Sequence, residues 1–486
     1  MFTSASKHIA ATALLTLLGG CALAPEYTRP EMPVASQLPA ISNLATKSGQ
    51  APTTPVVGAE LGWRNFFVDP QLQTIIKNAL INNRDLRVSA LNIASYQAQY
   101  RIQRSALFPE INATGFGTKQ RTYSGGNNAT LEYYSASVGI SSYELDFFGR
   151  VRSLKDQALE QYLAMEETHR SAQISLVAEV AGAYLTWLTD KELLVITEDT
   201  KQTEEESYQL VQQRANEGMA TQLELAQSRT SLETAKANLA MYQRQLALDI
   251  NNLTLLTGSS LPSLGRVSKK IDDQMALAAP PDRLSSTILL QRPDIQAAEH
   301  TLKGANAQIG AARAAFFPSI SLTASAGKMS GDLSHLFDGN SGAWLFTPSV
   351  SLPIFTAGRL QAELDVAKIS KDISVANYEL AIQTAFREVA DSLVARETYD
   401  RQLMAQKANL AANQEYYSLA KIRYQQGLDS FLTLLDAQRS LYTARQRCLI
   451  LQLAQLLNRI NLYKVLGGGW KERTQDVDAN TQTVGG

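Results

Sequence analysis

Two cysteines, four histidines and a charge balance of 45 basic against 46 acidic residues bound what these 486 residues can do. His8, His169, His300 and His335 lie far apart with no metal-ligand spacing, which argues against a zinc or iron centre. A net charge of -1 leaves no electrostatic footprint for nucleic acid. No GxSxG elbow, phosphate loop or HExxH motif occurs, and no carboxylate pair is singled out by its spacing, so the chain does not read as an enzyme. Beyond the N-terminal segment there is no apolar run of about 18 residues, and therefore no transmembrane helix. Any crossing of a membrane must be made by strands.

What is present begins with Lys7 and the apolar run Ile9 to Leu18, too short for a stable anchor but suited to export. Residues 1–20 read as a signal peptide, because Leu18-Gly19-Gly20-Cys21 resembles the bacterial lipoprotein box. Cys21 would carry diacylglycerol and a further acyl chain, leaving Cys448 without a disulfide partner. Ala22 after the cysteine permits sorting onward to an outer membrane. Residues 21–58 form a lipidated linker, with six prolines among Ala, Ser and Thr from residue 22 on. Order is predicted from Trp63, with Asp69-Pro70 offering a cap and a first helical residue.

From there the chain repeats itself at an offset of 209 residues: Asp85 and Asp294, Arg104 and Arg313, Phe108-Pro109 and Phe317-Pro318, Gly149-Arg150 and Gly358-Arg359, Arg214 and Arg423, Gly218 and Gly427. The repeats are 59–257 and 282–470, joined by a linker at 258–281 and followed by a disordered tail at 471–486. Each opens with a helix, Gln71 to Leu107 or Pro293 to Phe316, halted by the Phe-Pro pair. Two strands follow. Tyr134, Ala136, Val138 and Ile140 alternate with serines and glycine, and Ile320, Leu322, Ala324 and Ala326 alternate with Ser321, Thr323 and Ser325. Ile111 to Lys119 and Trp344 to Ile354 supply their partners, and turns fall at Gly125-Gly126-Asn127-Asn128 and Asp338-Gly339-Asn340. Gly149 to Gly218 and Gly358 to Gly427 then run without proline, on the order of 100 Å as helix. Thr221, and Asp429 or Ser430, are candidate caps for return helices.

Four amphipathic strands cannot line a bilayer alone, since open edges leave N–H and C=O groups unpaired at several kcal/mol each. Three chains would close a wall of about twelve strands, between the roughly 8 that side chains plug and the roughly 16 of an open porin. Helical hairpins rich in Ala, Ser and Gln suit a tube wetted on both sides.

With signal, duplication and element order in place, the chain resembles the outer-membrane factor (TolC-like) family, in its OprM- and CusC-like lipoprotein branch of RND efflux systems. The resemblance rests on Gly62-Trp63-Arg64 with Phe66-Phe67 and Asp69-Pro70, on Asn82-Asn83-Arg84-Asp85-Leu86-Arg87, and on Leu145-Asp146-Phe147-Phe148-Gly149-Arg150. It continues through Gln291-Arg292-Pro293-Asp294, the run Ile309 to Leu322, Leu435-Asp436-Ala437-Gln438-Arg439-Ser440, and Leu462-Tyr463-Lys464 before Gly467-Gly468-Gly469-Trp470. It implies a mixed α and β membrane channel: a trimeric, twelve-stranded outer-membrane β-barrel continued by a twelve-helix periplasmic α-barrel that is shut at rest. It further implies passive export of drugs or other toxic small molecules, with a periplasmic adaptor and an inner-membrane RND-type pump as partners, outer-membrane lipid around it, and no cofactor besides the acyl chains on Cys21.

Arg423 to Arg439 matches the family's closing helices. Leu432, Asp436 and Arg439 share one helical face, which the resemblance points at the threefold axis. Leu432 would then form an apolar constriction and Asp436 a cation-attracting ring relieved by Arg439, while Arg423 and Tyr424 would bond to the neighbouring hairpin. Ala215 and Gln227 stand at the matching places of the first half, so the lock is expected to be asymmetric. The hairpin ends, Gly218-Met219-Ala220-Thr221 and Gly427-Leu428-Asp429-Ser430, are the expected docking points for an adaptor. Glu204-Glu205-Glu206 reads as a solvated face. A periplasmic adaptor lipoprotein would also carry a long hairpin, but one rather than two. An exit duct for metal ions or secreted proteins would keep the fold and change the cargo.

Overall fold

The computed structural model describes residues 23–38, 58–125, 127–261 and 285–474. The signal, Cys21 and most of the inter-repeat linker lie outside them. After a single helical turn at Trp63–Phe66, the elements run α1 (Pro70–Asn82), α2 (Arg84–Ser105), β1 (Ile111–Ser124), β2 (Asn127–Glu144), α3 (Arg150–Asn216) and α4 (Gln222–Thr257). The second half supplies α5 (Pro293–Ala314), β3 (Ser319–Ser330), β4 (Gly342–Ser351), α6 (Arg359–Gln425) and α7 (Phe431–Val465). The duplication persists in the bounds: α3 and α6 are each 67 residues, α2 and α5 each 22, and both pairs start 209 residues apart.

Asp69 starts α1 as expected, its Oδ1 accepting the Gln71 N–H at 2.8 Å with Pro70 first in the helix. The expected helix from Gln71 to Leu107 is divided, however, at Asn83. Its N–H donates to the Ala79 carbonyl at 2.8 Å, its Oδ1 accepts the Leu86 N–H at 2.9 Å, and its Nδ2 donates to the Leu256 carbonyl at 2.9 Å. One asparagine thus ends α1, caps α2 and ties both to α4. Apolar periodicity carries no trace of such a break, because a side chain competing with the backbone sets it.

The described residues form two compact units. The first draws on residues within Met1–Glu31, Asn92–Glu166 and Ala297–Leu380, the second on residues within Met32–Leu91, Glu167–Gln296 and Ala381–Gly486. The second holds the main apolar core, where Trp63, Phe67 and Leu72, Ile75 and Ile76 of α1 meet Val180, Tyr184 and Leu185 of α3, Leu253 of α4 and Ile460 and Tyr463 of α7. Each such side chain contributes about 1.5–3 kcal/mol by leaving water, which outweighs any single cap. The Tyr184 hydroxyl donates to Asp69 Oδ2 at 2.7 Å, so this buried ring brings its own partner.

Two segments expected to be loose are held. The tail expected to be disordered from 471 is tied down through Thr474: the Lys471 and Glu472 carbonyls accept the Trp63 and Arg64 N–H groups, and Thr474 Oγ1 accepts the Gly62 N–H at 3.1 Å. Within the first unit, linker residues 23–29 lie along α5. Arg313 donates to the Leu23 carbonyl, Asn306 donates to the Pro25 carbonyl at 2.7 Å, and the Arg29 guanidinium grips Glu299 through both oxygens at 2.9 and 3.0 Å. Glu299, Asn306 and Arg313 recur every seven residues and so share a face. The segment forms no regular element of its own, so its carbonyls are free to accept from side-chain donors. The corresponding face of α2 has Ala90, Gln97 and Arg104, without the acid.

Candidate functional site

The four strands pair antiparallel in the order β1-β2-β3-β4. Register settles which side chains share a face. Ile111 and Ala113 lie opposite Ile140 and Val138; these lie opposite Ala324 and Ala326, which in turn face Phe346 and Trp344. One face is therefore apolar across the whole sheet. It ends at the ion pair of Lys119 with Glu132 and at Lys328 beside Ala136. On the other face lie Asn112, Thr114, Ser137, Ser325, Thr323 and Thr347, with Thr114 and Ser137 bonded through their hydroxyls at 3.0 Å.

Two details depart from expectation. Ser124 pairs with Asn127, so Asn127-Asn128 belong to β2 rather than to the turn. Strand β4 stops at Ser351, short of the expected Ile354, just ahead of Pro353 with its missing N–H. β2 also carries a bulge between Ile140 and Tyr143, with Ser142 at φ 54°, which restores Tyr143 to the apolar face opposite Leu322.

Among the described residues, β1 and β4 each lack a partner on the outer side. The exposed rings of Trp344 and Phe346 flank an edge that none of the described residues covers.

In the second unit, the hairpin ends repeat one design. Gly218 and Gly427 have φ of 76° and 73°, a conformation any Cβ would strain. The following N–H groups, of Met219 and Leu428, return to the Arg214 and Arg423 carbonyls at 2.7 and 2.9 Å. Thr221 then forms a full capping box with Glu224, and Ser430 caps α7 by accepting the Thr433 N–H. Asp429, the alternative cap, is committed elsewhere, since Arg423 donates to its two oxygens at 2.6 and 3.0 Å and holds its carboxyl below the ordinary range. Met219 and Leu428, at matching positions, are both well exposed.

Leu432, Asp436 and Arg439 lie together on the exposed side of α7, while Phe431, Leu434, Leu435 and Ala437 are buried. Within the single chain, Arg423 pairs with Asp429 of its own turn, and Arg439 donates to Ser231 of α4 at 3.1 Å. Asp436 instead accepts the Tyr416 hydroxyl at 3.3 Å. Tyr424 does reach the first hairpin of its own chain: the Arg214 guanidinium sits 5.2 Å from its ring centre, and its ring packs on Phe431, in a cluster with Val211 and Leu435. The sequence singles out neither Val211 nor Phe431, and it marks Arg214 only as the duplicate of Arg423. The solvated reading of Glu204 is also overturned, since the side chain is buried at 5% exposure.

The family model described as outer membrane efflux protein matches the chain twice, over residues 75–259 and 284–468, both ends again displaced by 209. The toluene efflux pump outer membrane protein TtgC of Pseudomonas putida is 52% identical over 479 residues, spanning 97% of each chain. The cation efflux system protein CusC of Escherichia coli is 43% identical over 458 residues, 94% of this chain and 97% of that one. The open state of the Neisseria gonorrhoeae MtrE outer membrane channel superposes with a TM-score of 0.86 at 39% identity, covering 94% of this chain and all of that one. A duplicated model match that spans both hairpins, together with relatives aligned nearly end to end, leaves one assignment: the chain belongs to the outer membrane efflux protein family.

Proposed function

We propose that three copies of this chain join β4 of each to β1 of the next and close a barrel in the outer membrane, continued into the periplasm by the helical hairpins. The barrel is a passive exit duct. Drugs, solvents or other toxic small molecules delivered by an inner-membrane RND-type pump and a periplasmic adaptor leave through it. The observation that carries this reading is a four-stranded sheet apolar across one whole face with both edges unpaired, since in hydrocarbon each unpaired group costs several kcal/mol and only closure removes the edges. Leu432 and Asp436 form the constriction at the shut periplasmic end, and the turns at Met219 and Leu428 receive the adaptor.

Deletion of the gene should sensitise its host to toluene, dyes and antibiotics, with unchanged tolerance of copper and silver and unchanged protein secretion. The name of TtgC, at higher identity than CusC, favours an organic cargo. Sensitivity to the metals alone, or lost secretion alone, would sink the organic-efflux reading.

Cys21 anchors the chain through diacylglycerol and an N-acyl group in this proposal. Labelled palmitate should enter the protein and be lost in Cys21→Ser; retained label would remove Cys21 as the acceptor.

A further inference from the structure

Along α3, Asp190, Thr197, Glu204 and Val211 recur every seven residues and form one seam. An apolar seam would pack more firmly. Thr197 and Val211 are fully buried, with Thr197 hydrogen-bonded to Tyr442 of α7 at 3.0 Å. The two acids of the seam have no such settlement.

Asp190 meets Asp249 of α4 across the first hairpin. Asp249 is 8% exposed; Gln245 donates to its Oδ1 at 3.2 Å, but its Oδ2 is buried with no donor. Two ionised carboxylates cannot hydrogen-bond, whereas a proton on Asp190 completes the contact. Glu204 is 5% exposed and its Oε2 has no donor either; it lines a small cavity with Asp199, Tyr417, Gln438, Tyr442 and Arg445, where Gln438 Oε1 is likewise unpartnered. The second copy replaces all three acids: Tyr399 stands for Asp190, Asn413 for Glu204 and Asn458 for Asp249.

We propose that the first hairpin carries a proton-operated seam, in which a proton on Asp190, hydrogen-bonded to Asp249, and another on Glu204 hold α3 against α4 and α7, while α6, which has Tyr399 and Asn413 at the places of Asp190 and Glu204, does not respond. Burial raises the Asp190 carboxyl, and its hydrogen bond with Asp249 raises it further. Tyr242 of α4 also faces it, and no basic side chain acts on it among the described residues. Burial lifts Glu204 to about 7 against the pull of Arg439, and Arg445, the other base at its cavity, lies 3.8 Å from Asp199. Both carboxyls therefore hold protons in the folded state that an unfolded chain would have released. The stabilisation is complete below the ordinary carboxylate range and is lost as pH rises through about 7.

Hydrogen exchange on the full-length protein in detergent micelles tests this, with α6 as internal reference so that the intrinsic pH dependence cancels. Protection of α3 and α4 relative to α6 should fall between about pH 4.5 and about pH 7 and level off above that, by up to about tenfold per pH unit for each proton lost. Glu204→Gln and Asp190→Asn, which mimic the protonated groups, should each flatten part of the slope and together remove it. A flat wild-type ratio, or a slope that survives both substitutions, overturns the proposal. If the double variant fails to assemble, the infrared carbonyl band of protonated carboxyl in the wild-type protein decides; its absence at about pH 6 is equally fatal. Protection that follows added calcium chloride rather than pH would assign the acids to a metal ion and also overturn the proposal.

Discussion

Ala324→Arg should abolish the assembled outer-membrane form, whereas Ser325→Arg, one residue along, should leave it intact and shift the pore toward anions. Ala324 sits in mid-sheet on the apolar face, between Ile140 of β2 and Phe346 of β4. An arginine there would meet lipid at about 2–4 kcal/mol per chain near the bilayer midplane, three times over in a trimer. Ser325 pairs with Gly139 and Leu345 on the opposite face, which the proposed barrel turns to its water-filled interior. A charge in that lumen alters selectivity without leaving water. Membrane fractionation and the mobility of unheated protein on denaturing gels read assembly; reversal potentials in planar bilayers read selectivity. If the two variants exchange phenotypes, the faces have been assigned the wrong way round.

Phe431→Ala should open the periplasmic end and lower stability together, whereas Leu432→Ala should open it at unchanged stability. Phe431 is 1% exposed and packs with Val211, Leu435 and the Tyr424 ring, so its loss costs about 3–5 kcal/mol and frees the second hairpin end from the first. Leu432 is 57% exposed within the chain and contributes little to its packing. Its proposed role is to narrow the pore. Single-channel conductance and the uptake of large antibiotics should rise several-fold in both variants, and thermal unfolding should separate them. Unchanged conductance in Leu432→Ala would remove that residue from the constriction; unchanged conductance in Phe431→Ala would uncouple the hairpin packing from closure.

How far the candidate sites were legible depended on the kind of signal. Strand faces could be read because a period of two is strict: once Val138 and Ala326 lie on the apolar side, every second neighbour follows. The hairpin ends could be read because a left-handed turn asks for glycine, and the duplication shows that requirement twice. Side-chain partners could not. Arg423 has an acid six residues away and another thirteen away; only the turn places Asp429 within reach and leaves Asp436 to Tyr416. Glu204 looked solvated because Glu205 and Glu206 follow it, yet a helix turns about 100° per residue, so adjacent acids meet different surroundings.

By itself the sequence determined the order of elements, the duplication, the two-faced strands and the want of a closed wall, all of which follow from local rules of periodicity, turn chemistry and backbone pairing. The tertiary structure alone decided that Asn83 splits a helix, that residues 23–29 and Thr474 are tied down, and that Glu204 and Asp249 lie buried in one hairpin with Asp190 against Asp249. Such outcomes depend on which distant groups arrive to donate, accept or exclude water, and chain spacing does not encode that arrival.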